Sequence, residues 1–109
     1  NPDGLRAFLV DDMIDGAGTI CSAAKTLRDF GATDVTVVAT HGLFSPPAAE
    51  RLQKSAIDEI VITDTLPPTL EIGQPDVRVV SIASMVAQAI RAIHEGQSVS
   101  ALFDGRNQA

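Results

Sequence analysis

The sequence has no tryptophan and no tyrosine, and its only aromatic residues are four phenylalanines. Its core must therefore be filled by Val, Ile, Leu and Ala. It has a single cysteine, Cys21. No disulfide can close within the chain, which fits a reducing compartment and a cytoplasmic location. No apolar run approaches the ~20 residues of a membrane span, and no signal-peptide pattern is present, so no membrane partner is expected. Basic residues are also few. The 8 Lys and Arg face 14 Asp and Glu, a net charge of −6. Phosphate backbones need a basic surface, so nucleic acid is not an expected partner. What remains is a chain of 109 residues, 45% apolar, the length and composition of one globular domain. No methionine precedes Met13, so the native chain is expected to begin upstream of Asn1.

The patterning alternates strand and helix. Leu5–Val10 is a short apolar strand, expected to stop at Asp11-Asp12. Ile20, Ala23, Ala24, Leu27 and Phe30 then recur at helical spacing, with Gly31 as a stop. Val35–Thr40 is a second strand, Ala48–Ser55 a short helix opened by proline, and Glu59–Thr63 a third strand. Residues 64–76, with Pro67, Pro68 and Pro75, read as irregular chain. Val77–Ile82 is a fourth strand. Ala83–Glu95 is a helix ended by Gly96, with Met85, Ala89, Ile90 and Ile93 expected inward. Val99, Leu102 and Phe103 are expected to pack back. Near-continuous apolar strands between helices imply an α/β fold with a parallel sheet covered on both faces. Ligands of such sheets bind beyond the carboxyl ends of the strands. That singles out residues 11–19, 40–46 and 63–68.

The first of these carries the most chemistry. Asp11, Asp12 and Asp15 lie within five residues, followed by Gly16-Ala17-Gly18-Thr19 at a helix start. Unpaired amides at a helix N-terminus form an anion site, and Thr19 adds a hydroxyl. Carboxylates do not bind phosphate directly, but they accept hydrogen bonds from ribose hydroxyls and bind Mg²⁺. The loop thus suits a sugar phosphate. Asp15 as a plain helix cap, with the other acids solvated, is the alternative. Two glycine motifs fail here: a Walker loop needs Lys where Thr19 stands, and a dinucleotide fingerprint needs Gly where Cys21 stands.

Val10-Asp-Asp-Met-Ile-Asp-Gly-Ala-Gly-Thr19 resembles the ribose-phosphate loop of the type I phosphoribosyltransferase fold, and more narrowly that of the ribose-phosphate pyrophosphokinase family. Ala39–Ser45, Ile62–Pro67 and Ser98–Phe103 extend the narrower match along nearly the whole chain. The resemblance implies a three-layer, phosphoribosyltransferase-like domain spanning residues 1–109. The family transfers the β,γ-diphosphoryl group of ATP to the 1-hydroxyl of ribose 5-phosphate, with Mg²⁺. It implies that Asp11 and Asp12 hold ribose hydroxyls and metal, and that Asp15, Gly16, Ala17, Gly18 and Thr19 cradle the 5-phosphate. It further implies a homo-oligomer with inorganic phosphate as an effector, in which Ser98 and Ser100 are candidate contacts.

Two departures follow. The family usually has Thr at Gly16, so one hydroxyl contact, worth ~1 kcal/mol, is lost. The family's N-terminal domain, which supplies adenine contacts and phosphoryl-stabilising cations, has no counterpart here. Lys25, Arg28, Arg51 and Lys54 read as helix-face residues, so this chain alone is expected to be inactive. A non-catalytic regulatory relative is the alternative. A free-standing phosphoribosyltransferase lacks a diphosphate loop here. A receiver domain with Asp64 as phosphoacceptor lacks its strand-end Lys. Outside the loop, His41, His94 and Cys21 read as structural residues.

Overall fold

A computed structural model describes residues 1–67 and 75–103. Its elements are β1 (Arg6–Ile14), α1 (Gly18–Asp29), β2 (Asp34–Gly42), α2 (Ala48–Gln53), β3 (Glu59–Thr63), β4 (Asp76–Val80) and α3 (Ala83–His94), then a 3₁₀ turn over Ser100–Phe103. The four strands form one parallel sheet in the order β1-β2-β3-β4. The α/β class and the parallel sheet are as the sequence led one to expect. All strands point the same way, so the ends of β1, β2 and β3 share one edge.

Both long helices end as their glycines require. At the end of α1 the Gly31 amide donates to the Arg28 carbonyl at 2.9 Å and the Ala32 amide to Leu27 at 3.0 Å, with Gly31 at φ 100°. This paired closure needs a left-handed residue, which Gly adopts without strain. Gly96 and Gln97 repeat it at the end of α3, on Ile93 and Ala92.

β1 is longer than its apolar run. It continues through Asp11 and Asp12 to Ile14, with Asp11 opposite Ala39 and Met13 opposite His41. Pairing with β2 overrides the low strand preference of aspartate. At the other end β4 stops at Val80, two residues short of the expected Ile82, which instead caps α3. The expected irregular stretch 64–76 lies partly in residues 68–74, outside the described residues.

The sheet's two faces differ. Ala24, Val35, Val37, Leu52, Ile60 and Ile62 are buried under α1 and α2. On the other face Phe8 is 59% and Val10 77% exposed. The strand order explains this. Crossovers are right-handed, and successive crossovers that step the same way put their helices on the same face. With no reversal in β1-β2-β3, α1 and α2 share a side. Coverage of both faces, expected from the apolar strands, is not present among the described residues.

The expected inward stripe of α3 is likewise corrected. Ile90 is 63% and Ile93 68% exposed, Met85 is also exposed, and Ala92 is the helix's buried residue. The periodicity that defines the helix is there, but α3 makes only marginal contact with the other described elements. Val99 and Leu102 are partly buried, whereas Phe103 is exposed.

Candidate functional site

The carboxyl edge of β1 opens into a cleft of about 360 Å³. Asp11, Asp15, Gly16, Ala17, Gly18 and Thr19 line it, together with Arg51. Six of the seven residues singled out in the sequence therefore share one cavity. Asp12 is not among its lining residues. Successive side chains of a strand alternate faces, so a consecutive Asp pair is divided. The Asp12 amide instead donates to Asp11 Oδ1 at 2.8 Å.

The floor of the cleft is the start of α1. Its N-cap is Ala17, at φ 67° and ψ 5°, with no side-chain cap. Asp15 is thus not the capping residue. The Ala17 carbonyl already accepts the first helical bond, from Cys21 at 3.1 Å, while the first-turn amides lack a side-chain acceptor. No acid lies in that turn, so the positive end of the helix dipole is uncompensated. A non-glycine residue in the left-handed region costs about 1–2 kcal/mol, and Ala17 meets that cost with its methyl buried.

Arg51, on α2, was read from sequence as a helix-face residue. Its guanidinium instead reaches the loop, and Nη1 donates to the Gly16 carbonyl at 3.0 Å. A signal for this exists in the sequence. Lys25, Lys54 and Arg91 each have an acid four residues away and pair with it. Arg28 and Arg51 have none, and these two make tertiary contacts.

Around this centre, other residues have fixed partners. His41 Nδ1 lies 2.7 Å from Thr65 Oγ1, and Thr63 Oγ1 donates to the Thr40 carbonyl at 2.6 Å, tying the ends of β2 and β3. Asp64 Oδ1 accepts the Ile82 amide at 2.9 Å. That bond, then Ser81, holds its carboxyl below the usual range. Lys25 and Lys54 pair with Asp29 and Glu50 on the helix surface, so the receiver-domain requirement of a strand-end Lys is unmet among the described residues. Partial burial pushes the Cys21 thiol up. This fits a small packed side chain rather than a nucleophile.

A Mg²⁺ ion takes one or two carboxylates and completes its shell with water and phosphate oxygens. Among the described residues no three His, Cys, Asp or Glu side chains gather as a cage. The exposed Asp11 in the cleft fits that open kind of site; a closed all-protein site is not formed. No helix among the described residues is long and apolar enough to cross a membrane.

The structure is thus of the α/β class, with a parallel sheet whose carboxyl edge carries a cleft shared by an uncapped helix start and an acid. Within that class, the chain belongs to the phosphoribosyl synthetase-associated domain family, whose model matches residues 2–104. The chain is 50% identical over 103 residues to a ribose-phosphate pyrophosphokinase of Mycobacterium leprae, covering 94% of this chain and 32% of that protein. It is 52% identical over 100 residues to the one from Caldanaerobacter subterraneus subsp. tengcongensis, covering 92% of this chain and again 32% of the relative. The crystal structure of phosphoribosylpyrophosphate synthetase from Mycobacterium smegmatis matches with a TM-score of 0.81 and 44% identity, over 87% of this chain and 32% of that one. The chain thus spans about a third of the length of the relatives it matches.

Proposed function

We propose that this chain is the ribose 5-phosphate-holding part of a cytoplasmic ribose-phosphate pyrophosphokinase. The uncapped N-terminus of α1, sharing a cleft with Asp11, carries this reading. The 5-phosphate sits on the amides of Gly16–Thr19, with the Thr19 hydroxyl as a further donor. Asp11 accepts from the ribose hydroxyls. Asp11 also offers a carboxylate to Mg²⁺, with Asp12 as the second candidate. Bound there, Mg²⁺ would neutralise phosphate charge.

In the proposed reaction the ribose 1-hydroxyl oxygen attacks the β-phosphorus of ATP. The bond from that phosphorus to the α–β bridging oxygen breaks, AMP leaves, and the hydroxyl loses its proton. This chain's share is to fix the sugar so that its 1-hydroxyl points outward. Transfer needs positive charge on the phosphoryl oxygens. Among the described Lys and Arg residues only Arg51 lacks a carboxylate partner. The ATP site and most of the catalytic charge therefore belong to the remaining two thirds of a full-length enzyme, and this chain alone is inactive. A homo-oligomer, with inorganic phosphate as effector near Ser98 and Ser100, completes the proposal.

Gly16, where the family usually has Thr, favours a second reading: a relative that keeps the fold and binds sugar phosphate weakly or not at all. Amide NMR titration with ribose 5-phosphate and Mg²⁺ separates the two. Saturable shifts at Gly16–Thr19 are expected. A Cβ at Gly18 would lie 3.1 Å from Arg51 Nη1. Gly18→Val, which adds two methyls at the helix start and displaces Arg51, should weaken those shifts strongly while the rest of the spectrum stays folded. Unchanged affinity in Gly18→Val would remove the assigned site.

A further inference from the structure

We infer that Arg51 is a positioning residue for the phosphate loop: its bond to the Gly16 carbonyl holds the strained Ala17 turn in the form that presents the α1 amides. This rests on the loop reading above and adds a residue 35 positions away from it in sequence.

Three observations carry it. The first is the bond itself, at 3.0 Å between Nη1 and the Gly16 oxygen. A carbonyl left facing the cleft would turn its lone pairs toward an incoming anion. Tied to a guanidinium, it is both polarised and occupied. The second is the residue that follows. Ala17 is a non-glycine residue at φ 67°, a conformation that persists only where its surroundings over-determine it. The two peptides that flank Ala17 are each held, the one before it by Arg51 on the Gly16 carbonyl and the one after it by the first bond of α1, from the Cys21 amide to the Ala17 carbonyl. The third is charge. Each other described Lys or Arg pairs with a carboxylate. Arg51 shares its cleft with Asp11 and Asp15, yet it bonds a neutral carbonyl. It thus makes no ion pair beside the anion site, and four of its five donors remain unspent.

The two glycines now acquire a packing reason. A Cβ at Gly16 would lie 3.4 Å from Arg51 Nη1, and one at Gly18 3.1 Å. The guanidinium lies along the loop because nothing projects from these residues.

The test compares the 109-residue chain with Arg51→Met, Arg51→Lys, Ala17→Gly and the Ala17→Gly/Arg51→Met double variant. Ribose 5-phosphate is the titrant. Losing a charged hydrogen bond is expected to weaken binding about 10- to 100-fold in Arg51→Met, with Arg51→Lys in between. Glycine removes the left-handed strain. It should recover several-fold of that loss in the double variant, so that Arg51→Met costs less in the Ala17→Gly background than in the native one. Without ligand, the backbone coupling constants of Ala17, which report the sign of φ, should shift in Arg51→Met.

Native affinity together with an unchanged residue 17 in Arg51→Met overturns the proposal. A double variant as weak as Arg51→Met also overturns it, since Arg51 would then act by charge alone. If the native chain shows no shifts at Gly16–Thr19, the phosphate-loop reading fails. The ligand-free couplings still decide whether Arg51 holds the turn.

Discussion

Gly42 shows how little room there is where β2 leaves the sheet. A Cβ there would come within 2.6 Å of Phe44 Cε2 and 2.9 Å of Ile62 Cδ1. Both neighbours are buried, so neither can swing into solvent. Gly42→Ala should cost about 1–3 kcal/mol, the usual range for overpacking, read as a lower urea midpoint at constant slope. An unchanged midpoint would mean that Phe44 is free to move. Asp64 supports a different expectation. Its carboxylate accepts the Ile82 amide at the head of α3, and its pKa is lowered. A lowered folded-state pKa adds stability above the unfolded value of ~3.9, and that stability is lost as pH falls through the folded value. Stability should therefore fall with acid below about pH 4, and Asp64→Asn should flatten part of that slope. Parallel acid titrations followed by circular dichroism decide it; identical slopes would mean that Asp64 takes no part.

At the scale of elements, one carboxylate joins three of them. Asp58 Oδ2 accepts the Val35 amide at 2.7 Å, and the same oxygen pairs with Arg28 of α1. Arg28 also donates to the Thr33 carbonyl at 2.7 Å. The ion pair is half exposed and adds little by itself. The Val35 amide matters more, since Val35 is fully buried. Asp58→Ala leaves that donor without its partner and should cost about 1–3 kcal/mol in urea unfolding. A loss under 0.5 kcal/mol, typical of a plain surface site, would argue against the joint. None of this joint was legible in the sequence, because it links residues 23 to 30 apart. What was legible is what local chemistry decides. Glu59–Thr63 matched its strand to the residue, and Gly31 and Gly96 marked both helix ends. β1 was read too short because Asp11-Asp12 looks like a strand breaker until β2 lies beside it. The loop was legible as a unit, 15–19 being contiguous. For Arg51 the sequence shows only that no acid stands four residues away; which partner it takes instead is decided by the fold, which brings α2 to the loop.

On the whole-molecule scale, the sheet face that carries Phe8 and Val10 and the apolar stripe of α3 stand exposed among the described residues. Val10 projects from that face, and contiguous apolar patches of this kind drive association. Val10→Lys should leave the melting temperature within a degree or two, as a surface change does, and reduce concentration-dependent association in sedimentation velocity. A melting point several degrees lower would mean that the face is packed in solution. The α3 stripe shows why periodicity was a partial guide: a period of 3.6 tells which side of a helix is apolar, not what lies against it.

β1 forms one margin of the described sheet. The outer margin of such a strand is a row of open backbone donors and acceptors, a template on which a second copy can zip. Asp11 and Asp12 set adjacent negative charges on that ribbon, and a copy pairing alongside would meet like charge against like. In the 109-residue chain these acids are expected to disfavour such pairing. Neutral variants at these positions need a light-scattering control before lost binding is read as lost contact with the sugar.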